Sequence, residues 1–421
     1  PVQSNGPVEF FEQERGEGPV GTDSRGDMMD EIFIQTEDQR AILESVRRFV
    51  EEEVTPRAAE LDAQVDPEDS FSWEIVEAAD RMGLRTMSLS EEYGGMDTDM
   101  LTTAMVIEEL ARGDLGISVV FAQTLKIGKH MERVLNEEQR ARTLIPFRDD
   151  PRAILSICGT EPENGSNGIV GYPAPYTTRA VKTEGGWIAN GMKHFISNSN
   201  RSRFFLVHMQ TDHEKSMLDG ATCFLLERGH PGFTVGRVHD KMGERLANNS
   251  ELLFTDCFIP DENVVGEVNE GHVVRRTFGP SSNIFAACSI LGVAVACYEK
   301  SLDWAQTRIQ GGKRLIDHDG IRAQIAEMKM LIDASRSYTH RAAWLADNRE
   351  QGWDMSLGSL PKVMASQAAW QVATWTLEIH GGHGYMKEAG VEKLVRDAAA
   401  FLHSDGVNRA LLLRAANFID T

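Results

Sequence analysis

Trp187-Ile188-Ala189-Asn190-Gly191-Met192-Lys193-His194-Phe195-Ile196-Ser197-Asn198 is strand-like sequence in a chain that otherwise reads as helical. Short runs of aromatic and β-branched residues flank Asn190-Gly191, and Asn-Gly between such runs signals a hairpin. Phe195 and Ser197 stand two apart, the spacing that puts two side chains on one face of a strand. An aromatic ring and a hydroxyl placed together suit a flat ring ligand. A half-buried strand end explains the same spacing equally well.

The same texture extends outward in both directions. Strands are expected at 179–182, 204–209, 223–226 and 251–258. Glu184-Gly185-Gly186 and Arg228-Gly229-His230-Pro231-Gly232 are turns between them. Residues 152–270 therefore read as an antiparallel, barrel-like β domain. On the N-terminal side, Ile42, Val46, Phe49, Val50 and Val54 recur at helical period. Helices follow at 71–81, at 101–111 and onward to about 144. Glu91-Glu92-Tyr93-Gly94-Gly95 interrupts them, and Asp149-Asp150-Pro151 closes a helical domain of residues 35–151. On the C-terminal side, 286–306, 321–348 and 360–378 are long and apolar, which predicts a four-helix bundle over 271–421. Residues 1–34, rich in Gly, Asp and Glu and without a signal-peptide pattern, read as a flexible or peripherally docked arm. The expected fold is mainly α with a central β domain.

Composition narrows the function. Of 421 residues, 43 are basic and 64 acidic, a net charge of −21 that repels nucleic acid and anionic membrane. No apolar run approaches the ~20 residues of a membrane span. Cys158, Cys223, Cys257, Cys288 and Cys297 show no paired spacing, which argues for buried thiols in a reducing compartment.

Four further stretches carry candidate chemistry. The loop Cys158-Gly159-Thr160-Glu161-Pro162-Glu163-Asn164-Gly165-Ser166-Asn167 can lay backbone N–H groups and hydroxyls against a heterocycle or phosphate. Side-chain capping at a strand exit is its ordinary alternative. The segment Thr307 to His318, with Arg308 and Gly311-Gly312, is a basic turn suited to pyrophosphate or to a helix C-terminus. Glu378-Ile379-His380-Gly381-Gly382-His383-Gly384-Tyr385 lets backbone approach a ligand. Its two histidines lack a carboxylate or third histidine at helical spacing, so no metal is expected. Finally, Phe401-Leu402-His403-Ser404-Asp405-Gly406-Val407-Asn408-Arg409 sets a short acid before a glycine, which alone describes a turn residue.

Together these motifs resemble the acyl-CoA dehydrogenase superfamily, from about Thr36 to Ile419. Tyr93-Gly94-Gly95, Thr160-Glu161-Pro162, 187–193, Phe195-Ile196-Ser197-Asn198, Arg308 with His318, and Gly381-Gly382-His383-Gly384-Tyr385 carry the likeness in order and spacing. The resemblance implies FAD, a homotetramer, an acyl-CoA substrate, an electron-transfer flavoprotein as acceptor, and a cytoplasmic or, in a eukaryote, mitochondrial-matrix location. It assigns Cys158, Thr160, Gly165, Ser166, Phe195 and Ser197 to the flavin and pyrophosphate. Phe195 stands where a tryptophan is usual. Arg308, His318, Glu378, Gly381 and Gly382 would serve the pyrophosphate and adenosine, partly from a neighbouring subunit; glutamine is usual at the Glu378 position. Val407 and Arg409 replace residues that touch the flavin.

Enzymes similar to this chain oxidise a thioester to its α,β-enoyl form. A carboxylate removes the α proton, hydrogen bonds steady the enolate-like oxygen, and a hydride leaves Cβ for flavin N5. Alignment puts Asp405 at the position of the usual catalytic glutamate. Aspartate is shorter by one C–C bond, roughly 1.5 Å, and a displacement of about 1 Å can cost ~10²-fold in rate. The other usual location of the base, Pro280-Ser281-Ser282-Asn283, has no carboxylate, and Asn283 replaces an arginine. Asp97 and Asp99 are secondary candidates, because an aspartate of the first domain takes part in relatives acting on cyclic acyl-CoAs. With Asn283 and Gly406 they form the substrate-side set. The leading expectation is dehydrogenation of an unusual, branched or cyclic, acyl-CoA with Asp405 as base. Two others stand beside it: flavin-dependent oxidation or elimination on a different carbon acid, in the manner of nitroalkane oxidases, and a catalytically silent flavoprotein subunit.

Overall fold

The computed structural model describes residues 35–170 and 174–418. The expected N-terminal arm lies outside the described residues. Helix α1 (Glu37–Phe49) opens on a capping box between Thr36 and Gln39 and buries Leu43, Val46 and Phe49. A π-helical turn, Val50–Val54, carries it into α2 (Thr55–Asp62). Next come α3 (Trp73–Arg81), α4 (Met100–Gly113), α5 (Leu115–Val134) and α6 (Glu137–Asp149). Asp99 caps α4 by accepting from Thr102 N at 2.6 Å, and Asp114 caps α5 by accepting from Ile117 N at 3.0 Å.

Eight strands follow among the described residues: β1 (Leu155–Cys158), β2 (Arg179–Thr183), β3 (Gly186–Ser197), β4 (Phe204–Gln210), β5 (Ala221–Glu227), β6 (Phe233–Val238), β7 (Asn249–Pro260) and β8 (Val264–Val265). Their order is β6-β7-β3-β2-β4-β5-β8, with β1 against β4. All pairings are antiparallel except β1–β4 and β2–β4. The sheet closes over its own core. Trp187 on β3 meets Phe224 on β5 at 5.8 Å between centroids, and Phe205 on β4 meets Phe233 on β6 at 4.9 Å, although neither pair of strands is adjacent.

The quoted stretch departs from its sequence reading. Asn190-Gly191 is not a turn; β3 runs straight through it, and the hairpin turn is Glu184-Gly185. Gly191 instead sits at a register shift against β7 with φ 137°, and a Cβ there would stand 2.6 Å from Thr178 Cα. The glycine signal was real, but it marks a bulge in a long strand. A second irregularity between Lys193 and Ile196 breaks the alternation assumed for Phe195, whose φ is 55°.

The C-terminal domain comprises α7 (Gly271–Thr307), α8 (Asp319–Asp347), α9 (Leu360–His380), α10 (Val391–Ala400) and α11 (Asn408–Ala416). Helix α7 begins well before the expected 286. It also holds an 18-residue window of mean hydropathy 1.6, long and apolar enough for a membrane span; 82% of that window is buried inside the protein, so it is a core helix. The expected turn between α7 and α8 is a small hairpin, Ile309–Gln310 against Lys313–Arg314. Glu108 on α4 joins the two helical domains, 2.7 Å from Arg336 and 3.2 Å from His340 on α8.

Candidate active site

Asp405 lies in the turn between α10 and α11, in left-handed backbone at φ 50°, followed by Gly406 at φ 98°. A non-glycine residue held there is strained, and such strain persists only where neighbours enforce it. The neighbours are visible. Asn283 Nδ2 donates to the Asp405 carbonyl at 2.6 Å. Lys362 Nζ, fully buried on α9, donates to the Gly406 carbonyl at 2.8 Å and to Asn408 Oδ1 at 2.9 Å. Arg414 donates to Asn283 Oδ1 at 2.6 Å, which fixes the amide that holds the turn. Burial pushes the Lys362 ammonium down to about 8, while Asp405 pulls it upward.

The Asp405 side chain is 21% exposed and meets Lys126 Nζ on α5 at 3.1 Å. Lys126 also donates to Ser282 Oγ at 3.3 Å. Asn283 stands where an arginine was expected, and a cation beside the acid comes instead from another domain. Glu244 adds a second acid within electrostatic reach of Asp405. Burial raises its pKa, against the pull of Lys241 at 3.3 Å. Its own N–H is held by Asp397 at 2.7 Å.

The loop after β1 forms the other half. Glu161 and Lys193 are fully buried and meet at 2.7 Å. Glu161 also accepts from Thr177 N, Thr177 Oγ1 and Thr178 N at 2.7, 2.8 and 3.0 Å. The Lys193 ammonium, pushed down to about 8 by burial against the pull of Glu161, sits 3.9 Å from the Tyr176 ring centroid. This buried pair ties the loop to β3, and His194 N donates to the Thr160 carbonyl at 2.9 Å. Thr160, Ser166 and Phe195 thus belong to one wall. Phe195 is 57% exposed, and Asn249 Nδ2 donates to its carbonyl at 3.1 Å and to Ser197 Oγ at 3.2 Å. The Cys158 side chain does not reach this wall; it packs in the β core, where burial raises its thiol pKa far up.

This wall meets the acid turn. A Cβ on Gly406 would stand 3.1 Å from Ile169 Cδ1, in the one-turn helix Asn167–Val170 that continues the loop. A third patch gathers around Trp304 on α7. His383 stacks on Trp304 at 4.7 Å, His380 at 5.2 Å, and the Arg308 guanidinium lies 5.7 Å from the ring. Arg308 and Gly381-Gly382 are therefore one surface. His318 caps the small hairpin at Gln310 O (2.9 Å), and Glu378 meets Gln324 at 3.4 Å. Val407 and Arg409 are exposed beside the acid turn.

Of the secondary acids, Asp99 serves as the α4 cap described above. Asp97 is exposed and pairs with Lys129 at 2.7 Å. Lys126 and Lys129 are one turn apart on α5, so Asp97 and Asp405 hang from neighbouring turns of one helix. Sequence reasoning missed Lys126, Lys362, Glu244, Lys193 and Trp304. Charged residues in apolar helical stretches, Lys126 and Lys362 above all, were the available signal.

The residues present fit FAD. Asn164 Nδ2, in the loop after β1, is buried with no partner among the described residues, a donor awaiting an acceptor. Cβ atoms built on Gly165, Gly381 and Gly382 meet nothing within 4 Å, so backbone there is open to a ligand.

A helical domain, a β domain and a helical bundle around such a site define a class of flavoprotein oxidoreductase. Residues 36–149, 156–257 and 272–419 match the N-terminal, middle and C-terminal domains of acyl-CoA dehydrogenases in turn. The chain belongs to the acyl-CoA dehydrogenase family, and with it is an FAD-dependent oxidoreductase. It is 32% identical to cyclohex-1-ene-1-carbonyl-CoA dehydrogenase of Geobacter metallireducens, over 89% of this chain and 96% of the relative. It is 29% identical to the short/branched chain specific acyl-CoA dehydrogenase, mitochondrial, of Rattus norvegicus, over 91% and 86%. The solved butyryl-CoA dehydrogenase of Megasphaera elsdenii superposes with a TM-score of 0.86 at 28% identity, covering 92% of this chain and 100% of that one.

Proposed function

We propose that the chain dehydrogenates a cyclic acyl-CoA thioester between Cα and Cβ, with Asp405 as the base for the α proton. The carrying observation is the clamped, left-handed Asp405 turn: its backbone is fixed by Asn283 and Lys362 while its carboxylate keeps 21% exposure. A fixed backbone with an accessible carboxylate is what proton abstraction in one geometry requires. Lys126 Nζ orients the carboxylate from the α5 side. The wall of Thr160, Ser166, Phe195 and Ser197 holds the flavin ring system and its pyrophosphate, and Arg308 with Gly381-Gly382 serves the nucleotide end. FAD bound there supplies a two-electron acceptor for the hydride leaving Cβ.

The cyclic acyl group rests on Asp97. It pairs with Lys129, one turn along α5 from the Lys126 that pairs with Asp405, and offers a second carboxylate. The similarity to a dehydrogenase of a cyclohexene carboxyl thioester supports the same assignment. An electron-transfer flavoprotein reoxidises the cofactor, and the chain works as a homotetramer in the cytoplasm. Exposed Met330, Trp344 and Trp370 on α8 and α9 support bundle-to-bundle assembly.

An anaerobic titration of the yellow holoprotein with straight, branched and cyclic acyl-CoAs tests the reading. Bleaching of the flavin by a cyclic member at substoichiometric enzyme saturation is expected. A spectrum unchanged across the whole panel removes it, and bleaching by straight chains alone removes the cyclic assignment.

A further inference from the structure

Three side chains beside the cofactor wall remain unexplained by the reaction. We propose that His194, His239 and Glu251 form a binding site for a divalent transition-metal ion of the zinc and cobalt class. The residues come from neighbouring strands: His194 from β3, Glu251 from β7, and His239 from the residue after β6. Both flanking strands are irregular opposite Glu251. The shift in β3 falls between Lys193 and Ile196, and that in β6 between Val235 and Val238. Bulges re-aim side chains, and these two bring an imidazole from each side toward one carboxylate.

The geometry suits three-point ligation. One ring nitrogen of each histidine and one Glu251 oxygen lie within 4.8 Å of one another, and the two rings stand 4.6 Å apart between centroids. His194 Nε2 is 3.5 Å from Glu251 Oε1. Ligand bonds of about 2.0–2.2 Å in a tetrahedral site put ligand atoms roughly 3.4 Å apart, so that edge is already formed. The remaining ligand must close by at most about 1.4 Å, from 4.8 Å to roughly 3.4 Å.

A further observation points to a ligand: His239 is 8% exposed, and its Nε2 has no partner among the described residues. His239 and Phe195 also line a cavity of about 590 Å³, which leaves room for water or a further ligand on the ion.

Arg237 is the present cation of the site. Its Nε stands 3.7 Å from Glu251 and its Nη2 3.5 Å from His239 Nδ1, both long contacts. The side chain is 71% exposed and free to swing into solvent. Lys241, the other cation lining the cavity, already pairs with Glu244 at 3.3 Å and donates to Asn249 Oδ1 at 2.8 Å. A divalent ion would therefore replace Arg237 alone.

The test dialyses FAD-loaded protein against Zn²⁺ and counts bound metal. A parallel titration with Co²⁺ follows ligand-field absorption at wavelengths beyond the flavin bands. One ion per chain is expected, lost in His194→Gln and in Glu251→Gln. Arg237→Gln should bind roughly tenfold tighter, because a competing unit charge a few ångströms away is gone. Thermal midpoints and FAD content establish that each variant is folded. Absence of stoichiometric binding overturns the proposal. So does binding that survives both ligand variants, or that ignores Arg237→Gln, because the acidic surface would then be the host.

Discussion

The two halves of the proposed active site are held together differently. The proposed cofactor wall is a local construction: the loop after β1 is tied to β3 by Glu161 and Lys193, 32 positions apart, through a dry ion pair. The acid turn is a distant one. Asp405 depends on Lys126, 279 positions away, on Asn283, 122 away, and on Lys362, 44 from Gly406. The wall can fold as a unit of the β domain, whereas the acid is placed only when the N-terminal domain packs against the bundle. Stability should therefore concentrate in the wall, and catalytic geometry should be the quantity most exposed to change at the turn.

Breaking the wall is expected to have the largest effect. Lys193→Met leaves the Glu161 carboxylate buried without its cation, a change that costs about 3–5 kcal/mol. Urea unfolding should show that loss together with release of FAD, and Glu161→Gln added to Lys193→Met should recover part of it. If Lys193→Met were neutral, the wall would not be the rigid half.

The acid side carries its own pH dependence. His130 lies one turn beyond Lys126 on α5, and burial pushes its pKa down to about 4. The folded protein keeps this imidazole neutral, whereas the unfolded chain protonates it near 6.5. The stability it contributes is full above pH ~6.5 and is lost as pH falls toward 4, roughly 3 kcal/mol in all. Unfolding free energies across that window should slope accordingly, and His130→Phe should flatten the slope. An unchanged slope would place the acid sensitivity elsewhere, with buried His208 the next to examine, since burial lowers its pKa as well.

Lys362→Met sharpens the comparison. It removes the ammonium that donates to the Gly406 carbonyl and to the Asn408 side-chain oxygen, while Thr160, Ser166, Phe195 and Ser197 are untouched. A displacement of about 1 Å at Asp405 corresponds to ~10²-fold in kcat. The expected result is that loss in kcat with FAD content and KM nearly unchanged. The smallest effect is expected at Asn249→Ala, which frees the Phe195 carbonyl and Ser197 hydroxyl. About 1 kcal/mol of stability should go, with a small shift in the flavin spectrum.

The same contrast explains what the sequence made legible. Helix–sheet–helix order followed from periodicity, and the wall residues Thr160, Ser166, Phe195 and Ser197 fell in short motifs whose partners are near in sequence. Gly191 shows the limit of local reading. A glycine after asparagine signals a positive φ, but only the β7 register says whether the strand turns or bulges there. The acid turn was visible as Asp405-Gly406, yet its supports were not. Lys126, Lys362 and Arg414 sit in helices whose apolar pattern hides them, and only tertiary packing brings three cations to one turn. Trp304 was invisible for a similar reason: its role depends on Arg308 and His383 meeting around it.

The central claim is that Asp405 removes the α proton. The direct measurement is stopped-flow flavin reduction by a bleaching acyl-CoA, for the native protein and Asp405→Asn, each with FAD content determined first. The account predicts that Asp405→Asn retains FAD and binds the thioester but fails to bleach, and that α-deuteration slows the native protein. Flavin reduction at the native rate in Asp405→Asn would contradict it and move the base to another carboxylate.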